Sequence, residues 1–146
     1  MAVNEDLIGK QWPAVEYEVG LEKIREYANA VRETNPVHHD PEAARKAGYR
    51  NVVAPPMFCV VYSAPAVGPA VIDPEVGINL AAMVHGSQVF EWGEPVCAGD
   101  LVTTTARLSD LREKDDMTFY EFESVSVNQD GQETVRGTWT DIVRGG

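Results

Sequence analysis

Residues 33–58 read ETNPVHHDPEAARKAGYRNVVAPPMF. The stretch places a carboxylate, Glu33, five residues before the imidazole of His38, with Pro36 between them. Proline has no N–H to donate and pushes the preceding residue out of the helical region, so this segment cannot be one continuous helix. No other part of the sequence concentrates acid–base groups in this way. If the protein is an enzyme, we expect its chemistry here.

The chain before this stretch predicts one strand and one helix. Residues 12–19 alternate between apolar and polar side chains, which is the pattern of a half-buried strand. Residues 21–31 carry apolar side chains three and four positions apart, which predicts a helix with one apolar face. Asn35-Pro36 follows and prevents that helix from continuing.

The second half of the stretch predicts two further helices. Asp40 is a good N-cap and Pro41 suits a first helical position, so residues 41–47 are expected to form a short helix that Gly48 ends. Pro55-Pro56 starts a helix from residue 57 to about 64, apolar nearly all round and therefore expected to be central and fully covered. Residues 66–77, with Pro69 and Pro74, are expected to form a loop with at most one helical turn.

The rest of the chain is typical of strands separated by turns. Strands are predicted at residues 81–92, 101–111, 117–128 and 134–143. This pattern predicts the α+β class, with one domain over residues 1–146 and an antiparallel sheet wrapped around a central apolar helix. A sheet covered by a single helix keeps an edge or a face open, so we expect at least a dimer.

The composition limits the possible partners. The chain has 146 residues and a net charge of -11, which argues against nucleic acid, because binding phosphates requires a basic face. Six of the twelve cations nevertheless lie between residues 23 and 50: Lys23, Arg25, Arg32, Arg45, Lys46 and Arg50. They are interpreted as solvated helix faces, with a local basic patch as the alternative.

The sequence gives no sign of a metal, cofactor, membrane or export signal. Cys59 and Cys97 lack the spacing of a zinc site or a disulfide framework, so no metal and no cofactor are expected. The first six residues do not combine a basic region with an apolar run, and no apolar run approaches the ~18–20 residues of a membrane span. We therefore expect a reducing cytoplasm as the location.

The motif Glu33-Thr34-Asn35-Pro36-Val37-His38 resembles that of the MaoC-like hot-dog (R)-hydratases and dehydratases, which carry Asp, any residue, then Asn-Pro-aliphatic-His. The similarity extends to residues 54–58, 84–88 and 95–100 and looks closest to the FAS1-like dehydratase branch. The resemblance implies a hot-dog fold and reversible hydration of trans-2-enoyl thioesters to (3R)-hydroxyacyl thioesters of coenzyme A or a carrier protein. It also implies a homodimer, or a heterodimer with a second hot-dog subunit.

The resemblance assigns roles to individual residues. His38 stands at the family's catalytic histidine, Glu33 at its catalytic aspartate, and Asn35 at the asparagine that holds the loop and a water. The substrate-binding positions expected from the sequence are Pro56, Met57, Phe58, Ser63, His85 and Gly86. Two of these have plain alternatives, because His85 could be a structural strand residue and Ser63 a packing residue. His39 is expected to face solvent.

Two residues depart from the family pattern. Glu33 replaces the aspartate, and its extra methylene moves the carboxylate by about an ångström, a misplacement that can reduce a rate ~10²-fold. Pro56 stands where the family has a glycine whose N–H binds the thioester oxygen, and proline has no N–H. Met57 could replace that donor only if the thioester lies differently.

Three functions are compatible with these residues. The first is an (R)-specific enoyl-thioester hydratase or 3-hydroxyacyl dehydratase. The second is a non-catalytic acyl-binding subunit whose partner chain brings an intact Asp/His pair. The third is a hot-dog thioesterase, which would release a free thiol from acyl-coenzyme A.

Overall fold

Five strands form one antiparallel sheet, and the computed structural model describes them within residues 3–145. The strands are β1 (Val15–Glu18), β2 (Met83–Trp92), β3 (Leu101–Lys114), β4 (Met117–Val127) and β5 (Glu133–Arg144). Their order across the sheet is β1-β3-β4-β5-β2. Met1, Ala2 and Gly146, the ends of the domain predicted over residues 1–146, lie outside the described residues.

Short turns explain why β3, β4 and β5 are antiparallel neighbours. Asp115 and Asp116 join β3 to β4 with positive φ angles of 53° and 58°. Two consecutive positive φ angles are the geometry of the tight hairpin turn whose twist matches that of the flanking strands. Every second residue of β4 is buried, so one face of this central strand points into the core.

Three helices precede β2. They are α1 (Leu21–Ala30), α2 (Pro41–Lys46) and α3 (Cys59–Val71), and a 3-10 turn, Pro56–Phe58, leads into α3. The side chain of Asp40 accepts a hydrogen bond from the N–H of Glu42, which confirms the predicted cap of α2. Helix α3 packs against β1, β3 and β4, so the predicted architecture of an antiparallel sheet around a central helix is confirmed.

Helix α3 runs further than the sequence predicted. The prediction that residues 66–77 form a loop is wrong, because the helix continues through Pro65 and Pro69 to Val71. Both prolines lie on the exposed side, whereas Ala66 and Ala70 continue the buried face toward the sheet. A proline inside a helix costs ~3 kcal/mol, and burial of the apolar face offsets that cost.

The exposure of the predicted helix corrects a second expectation. The helix from residue 57 to about 64 was expected to be fully covered, and that prediction is wrong, because Met57 is 46% exposed and Val60, Val61 and Ala64 are only half-buried.

The predicted strand over residues 12–19 is shorter than expected. Pro13 cannot donate to a ladder, and only an isolated bridge between Gln11 and Arg107 precedes β1.

The far edge of the sheet stays open. Among the described strands, β2 pairs with β5 alone. Helix α3 packs mainly against β1, β3 and β4, away from this edge. Three large apolar residues of β2, Val84, Val89 and Trp92, are more than half exposed. Open apolar edge strands are templates for pairing with another chain. Among residues 3–145, no helix is both long and apolar enough to cross a membrane.

Two adjacent residues of the 3-10 turn before α3 offer a matched test of the core. Phe58 is fully buried, with the rings of Tyr17 and Tyr27 edge-on at centroid distances of 6.5 and 5.5 Å, whereas Met57 is 46% exposed. We expect Phe58→Ala to lower the free energy of unfolding by about 3–5 kcal/mol, because it leaves a cavity. Met57→Ala should change it by less than about 0.5 kcal/mol. Urea unfolding at equal protein concentration measures both; equal effects would contradict this packing.

Candidate active site

A cavity of about 310 Å³ lies at the N-terminal end of α3. Its walls come from residues 35–38, residues 49–56, the first turn of α3, and the end of β2 with the turn after it. Ordinary ligand sites are concave, largely apolar and carry a few convergent polar groups. Here the polar groups include Asn35, His38 and Tyr62, so the cavity collects two of the three residues predicted to be catalytic.

The imidazole of His38 is fixed by the backbone. Pro36–His38 form a 3-10 turn, and Asn35 caps it by accepting a hydrogen bond from the N–H of Val37 at 3.2 Å. The Nδ1 atom of His38 lies 2.6 Å from the carbonyl oxygen of Val53, and the side chain is buried. A carbonyl can only accept, so Nδ1 carries the hydrogen. In the neutral ring, Nε2 therefore keeps a lone pair that can accept a proton.

The neighbouring histidine has the opposite arrangement. Nε2 of His39 lies 2.7 Å from the carbonyl oxygen of Glu33, so Nε2 carries the hydrogen in that ring. The Nε atom of Arg25 donates to the carbonyl oxygen of His39 at 2.9 Å. His39 is half-buried, and the expectation that it faces solvent is wrong. Its contacts hold the loop that ends α1 to the turn that carries His38.

The carboxylate of Glu33 is engaged with the backbone. Its Oε1 accepts a hydrogen bond from the N–H of Asn35 at 2.9 Å, and Glu33 does not line the cavity. The structure therefore brings His38 and Asn35 together at the cavity and places the Glu33 side chain on the preceding turn. Among the described residues that line the cavity, the one carboxylate is that of Glu94, in the turn after β2.

The six residues expected to bind substrate fall into three groups: one that lines the cavity, three in the 3-10 turn and α3 that do not line it, and two on β2. Pro56 lines the cavity, whereas Met57 is exposed and Phe58 is buried in the core. Ser63 is buried and donates its hydroxyl to the carbonyl oxygen of Cys59 at 2.6 Å, within α3. The remaining two, described next, lie on β2 outside the cavity lining.

His85 and Gly86 form an irregular part of the sheet edge. Nδ1 of His85 lies 3.1 Å from a carboxylate oxygen of Asp141 on β5. The register of β2 shifts between His85 and Ser87, and a Cβ on Gly86 would collide with the side chain of Ile142. Glycine therefore permits this bulge. Contact of these two residues with substrate stays a prediction.

Several cavity residues were not singled out as functional by sequence reasoning. Trp92 donates its indole N–H to the carbonyl oxygen of Pro56 at 2.9 Å, which joins the end of β2 to the start of α3. Cys59 and Tyr62 share the inner face of α3, and Tyr49 and Thr134 complete the wall. The three-residue spacing of Cys59 and Tyr62 could have indicated a shared face. No sequence signal connects Trp92 with a proline thirty-six positions earlier.

The comparisons with known proteins agree with this architecture. The family model described as "FAS1-like, dehydratase domain region" matches residues 6–136. The chain belongs to this family. A protein of Clavibacter michiganensis subsp. michiganensis named "UPF0336 protein" is 42% identical over 146 residues, which cover 99% of this chain and 98% of the relative.

Solved structures show the same fold. A "MaoC-like dehydratase" is 27% identical with a TM-score of 0.84, over 95% of this FAS1-like chain and 42% of that protein, so the chain spans about two fifths of its length. The HadBC (3R-hydroxyacyl-ACP dehydratase) complex of Mycobacterium tuberculosis contains a chain that is 27% identical with a TM-score of 0.82, covering 94% of this chain and 97% of that one. The expected family and hot-dog fold are confirmed.

Burial affects two titratable groups of the cavity in this FAS1-like dehydratase domain. Burial raises the pKa of the Cys59 thiol to about 11 and also raises the pKa of the Tyr62 phenol. Both groups are therefore protonated at neutral pH. The lining also contains the imidazole of His38 and the carboxylate of Glu94. Among residues 3–145, no cluster of three or more His, Cys, Asp or Glu residues is placed to hold a metal ion.

The two neighbouring histidines provide a spectroscopic prediction. Because each ring donates to a carbonyl through a different nitrogen, we expect neutral His38 to carry its hydrogen on Nδ1 and neutral His39 on Nε2. Two-bond hydrogen–nitrogen NMR spectra distinguish these tautomers directly. Observation of the Nε2–H tautomer at His38 would contradict the assignment, and His39 serves as the internal reference in the same spectrum.

Proposed function

We propose that this chain acts in the reversible hydration of trans-2-enoyl thioesters to (3R)-hydroxyacyl thioesters, carried by coenzyme A or a carrier protein. The observation that supports it most is the His38 ring, fixed through Nδ1 to Val53 and lining the cavity beside Asn35. Membership of a dehydratase family and likeness to dehydratase structures favour the same chemistry.

In the proposed hydration, the lone pair on Nε2 of His38 takes a proton from water as the water oxygen adds to C3 of the enoyl group. The C2–C3 double bond shifts its electrons onto the thioester oxygen, and C2 then takes the proton held on Nε2 of His38, which restores the neutral ring, so H and OH are added in total. The Oδ1 atom of Asn35 is held by Val37, which leaves its NH₂ group available to orient the water. Dehydration follows the same steps in reverse.

The negative charge that develops on the thioester oxygen needs a hydrogen-bond donor. Pro56 cannot supply one from its backbone. We propose that the indole N–H of Trp92, which is 2.9 Å from the carbonyl oxygen of Pro56 and lines the cavity, takes this role. The thioester oxygen would then compete with that carbonyl for the same donor.

The variant His38→Asn separates catalysis from folding. The Asn amide can still donate to Val53 in place of Nδ1, but it has no counterpart of the Nε2 lone pair. We expect His38→Asn to keep the wild-type unfolding midpoint and to hydrate crotonyl-coenzyme A about 10²- to 10⁴-fold more slowly. The loss of the conjugated enoyl absorbance measures turnover. A folded His38→Asn variant with wild-type turnover would remove His38 from the mechanism.

Glu33 and Glu94 are the two carboxylates near the site, and replacing each with glutamine tests whether its negative charge is needed for turnover. Glu33→Gln keeps a side-chain oxygen that can cap the N–H of Asn35, so it tests whether the negative charge of Glu33 is needed. Glu94→Gln tests the charge that lines the cavity. We expect Glu33→Gln to keep turnover within about threefold of wild type, since general acid–base groups contribute 10²-fold or more. A larger loss in Glu33→Gln would assign Glu33 a direct role.

A second function is supported by the placement of Glu33 and by Pro56. Without a carboxylate from Glu33 and without an N–H at Pro56, the chain could act as the non-catalytic acyl-binding subunit of a heteromeric dehydratase. The HadBC relative is described as a complex. We propose that this single domain, residues 1–146, pairs through the open edge of β2 with a second hot-dog chain, either a copy of itself or a different one. A cytoplasmic location stays a prediction.

Assays on the isolated chain and on the complex distinguish the two functions. If the chain is the catalytic subunit, it hydrates crotonyl-coenzyme A alone and His38→Asn stops it. If it is the acyl-binding subunit, the isolated chain binds acyl-coenzyme A without turnover, and His38→Asn leaves the activity of the complex unchanged. A thiol reagent in the same reactions detects coenzyme A release, which would indicate a thioesterase instead.

A further inference from the structure

The carboxylate of Asp100 is buried outside the cavity, and its hydrogen bonds lead to the segment that holds His38. Asp100 precedes β3 and is only 1% exposed. Its Oδ1 accepts hydrogen bonds from Arg50 at 2.7 Å and from the Gln129 side chain at 3.0 Å. Its Oδ2 accepts from Arg50 at 2.9 Å and from the N–H of Cys97 at 2.8 Å. These four bonds use the full accepting capacity of a carboxylate.

The charge of Asp100 is retained in spite of its burial. Burial by itself raises the pKa of the carboxyl group, but Arg50, the N–H of Cys97 and the Gln129 amide outweigh it, so the pKa of Asp100 is lowered overall. The two parallel bonds to the guanidinium are the bidentate geometry that arginine makes with carboxylates. Asp100 therefore ties residue 50 to the turn at residues 97–100 with a fixed orientation.

Backbone hydrogen bonds connect the turn that Asp100 holds to the segment that orients His38. The N–H of Ala98 donates to the carbonyl oxygen of Val52, and the N–H of Ala54 donates to that of Val96, both at 2.8 Å. Residues 52–54 thus lie along residues 96–98, with Val53 opposite Cys97. On its other side, Val53 donates its N–H to the carbonyl oxygen of Val37 at 3.1 Å and accepts from Nδ1 of His38.

We propose that Asp100 is a positioning residue for His38, acting through Arg50 and the backbone of residues 52–54. Asp100 touches neither the cavity nor the imidazole. It fixes the carbonyl oxygen of Val53, and that oxygen fixes the tautomer and the direction of the ring. The role of this positioning in turnover rests on the proposed function, whereas its effect on the tautomer of His38 does not.

The substitution Asp100→Asn is the sharpest test. An amide presents one oxygen and one NH₂ group, so its nitrogen would face the donors of Arg50 or Cys97 and the bidentate contact would be lost. We expect neutral His38 to change from the single Nδ1–H tautomer to a mixture of both tautomers, while the NMR signals of His39 stay unchanged. We expect kcat to fall about 10- to 100-fold and KM to change less than about threefold, because a misplaced base affects the chemical step.

A matched control is available on β4. Glu123 is also a carboxylate held by arginines, Arg107 at 2.9 Å and Arg136 at 3.3 Å, and it does not line the cavity beside His38. Glu123→Gln removes the same charge from an arginine-bound carboxylate that is more exposed, with a side-chain exposure of 20% against 1% for Asp100. We expect it to leave the tautomer of His38 and the value of kcat unchanged. A tautomer change in Glu123→Gln equal to that in Asp100→Asn would overturn the specific role of Asp100.

A second variant keeps the test decisive if Asp100→Asn does not fold. Arg50 is partly exposed, and Arg50→Lys keeps the charge but cannot make the bidentate contact. We expect a smaller change in the same direction for the His38 signal, and no further loss when the two substitutions are combined. A folded variant with an undisturbed His38 tautomer overturns the proposal. An inactive wild-type chain would instead refute catalysis by the isolated chain, and the tautomer measurement would still decide the role of Asp100.

Discussion

Burial of one face of α3 against the sheet is the constraint on which the rest of the structure depends. The helix is long enough to reach both apolar clusters of the core, with Phe58 and Tyr62 near its start and Ala66 and Ala70 further along. Because this face must stay buried, the helix continues through two prolines that would otherwise end it. The cavity forms beside the first turn of this helix, where residues 35–38 and 49–56 supply much of its wall.

The backbone around Val53 connects the cavity to residues 96–98 by hydrogen bonds. The backbone of Val53 bonds to residues 37 and 38 on one side, and its neighbours bond to residues 96–98 on the other. A histidine held by a carbonyl has one defined tautomer, which a side chain exposed to solvent would lack. The ion pair between the buried Asp100 and the exposed Arg50 joins the residues just before this segment to the turn that precedes β3. The orientation of the His38 ring thus depends on contacts made by residues that are distant along the chain.

The two departures from the family motif have different structural consequences. Glu33 is displaced from the cavity because its carboxylate bonds to the N–H of Asn35 two residues later, a contact that stabilises the turn. Pro56 removes a backbone donor, and the indole of Trp92 occupies the neighbouring space by donating to the carbonyl oxygen of the same residue. The cavity therefore keeps the imidazole of the motif, whereas the carboxylate and the residue at position 56 differ from it. This combination gives both proposed functions a physical basis.

The sequence alone determined the fold class, most element positions and the place of His38 and Asn35, because alternation, helical spacing, caps and the Asn-Pro-x-His motif are local properties. It did not determine that α3 extends to Val71, since only burial against the sheet outweighs the local effect of proline. It also could not place the indole of Trp92 or the partners of Asp100. Those contacts join residues brought together by the strand order, and a hydrogen bond between distant segments leaves no periodic signal in the chain.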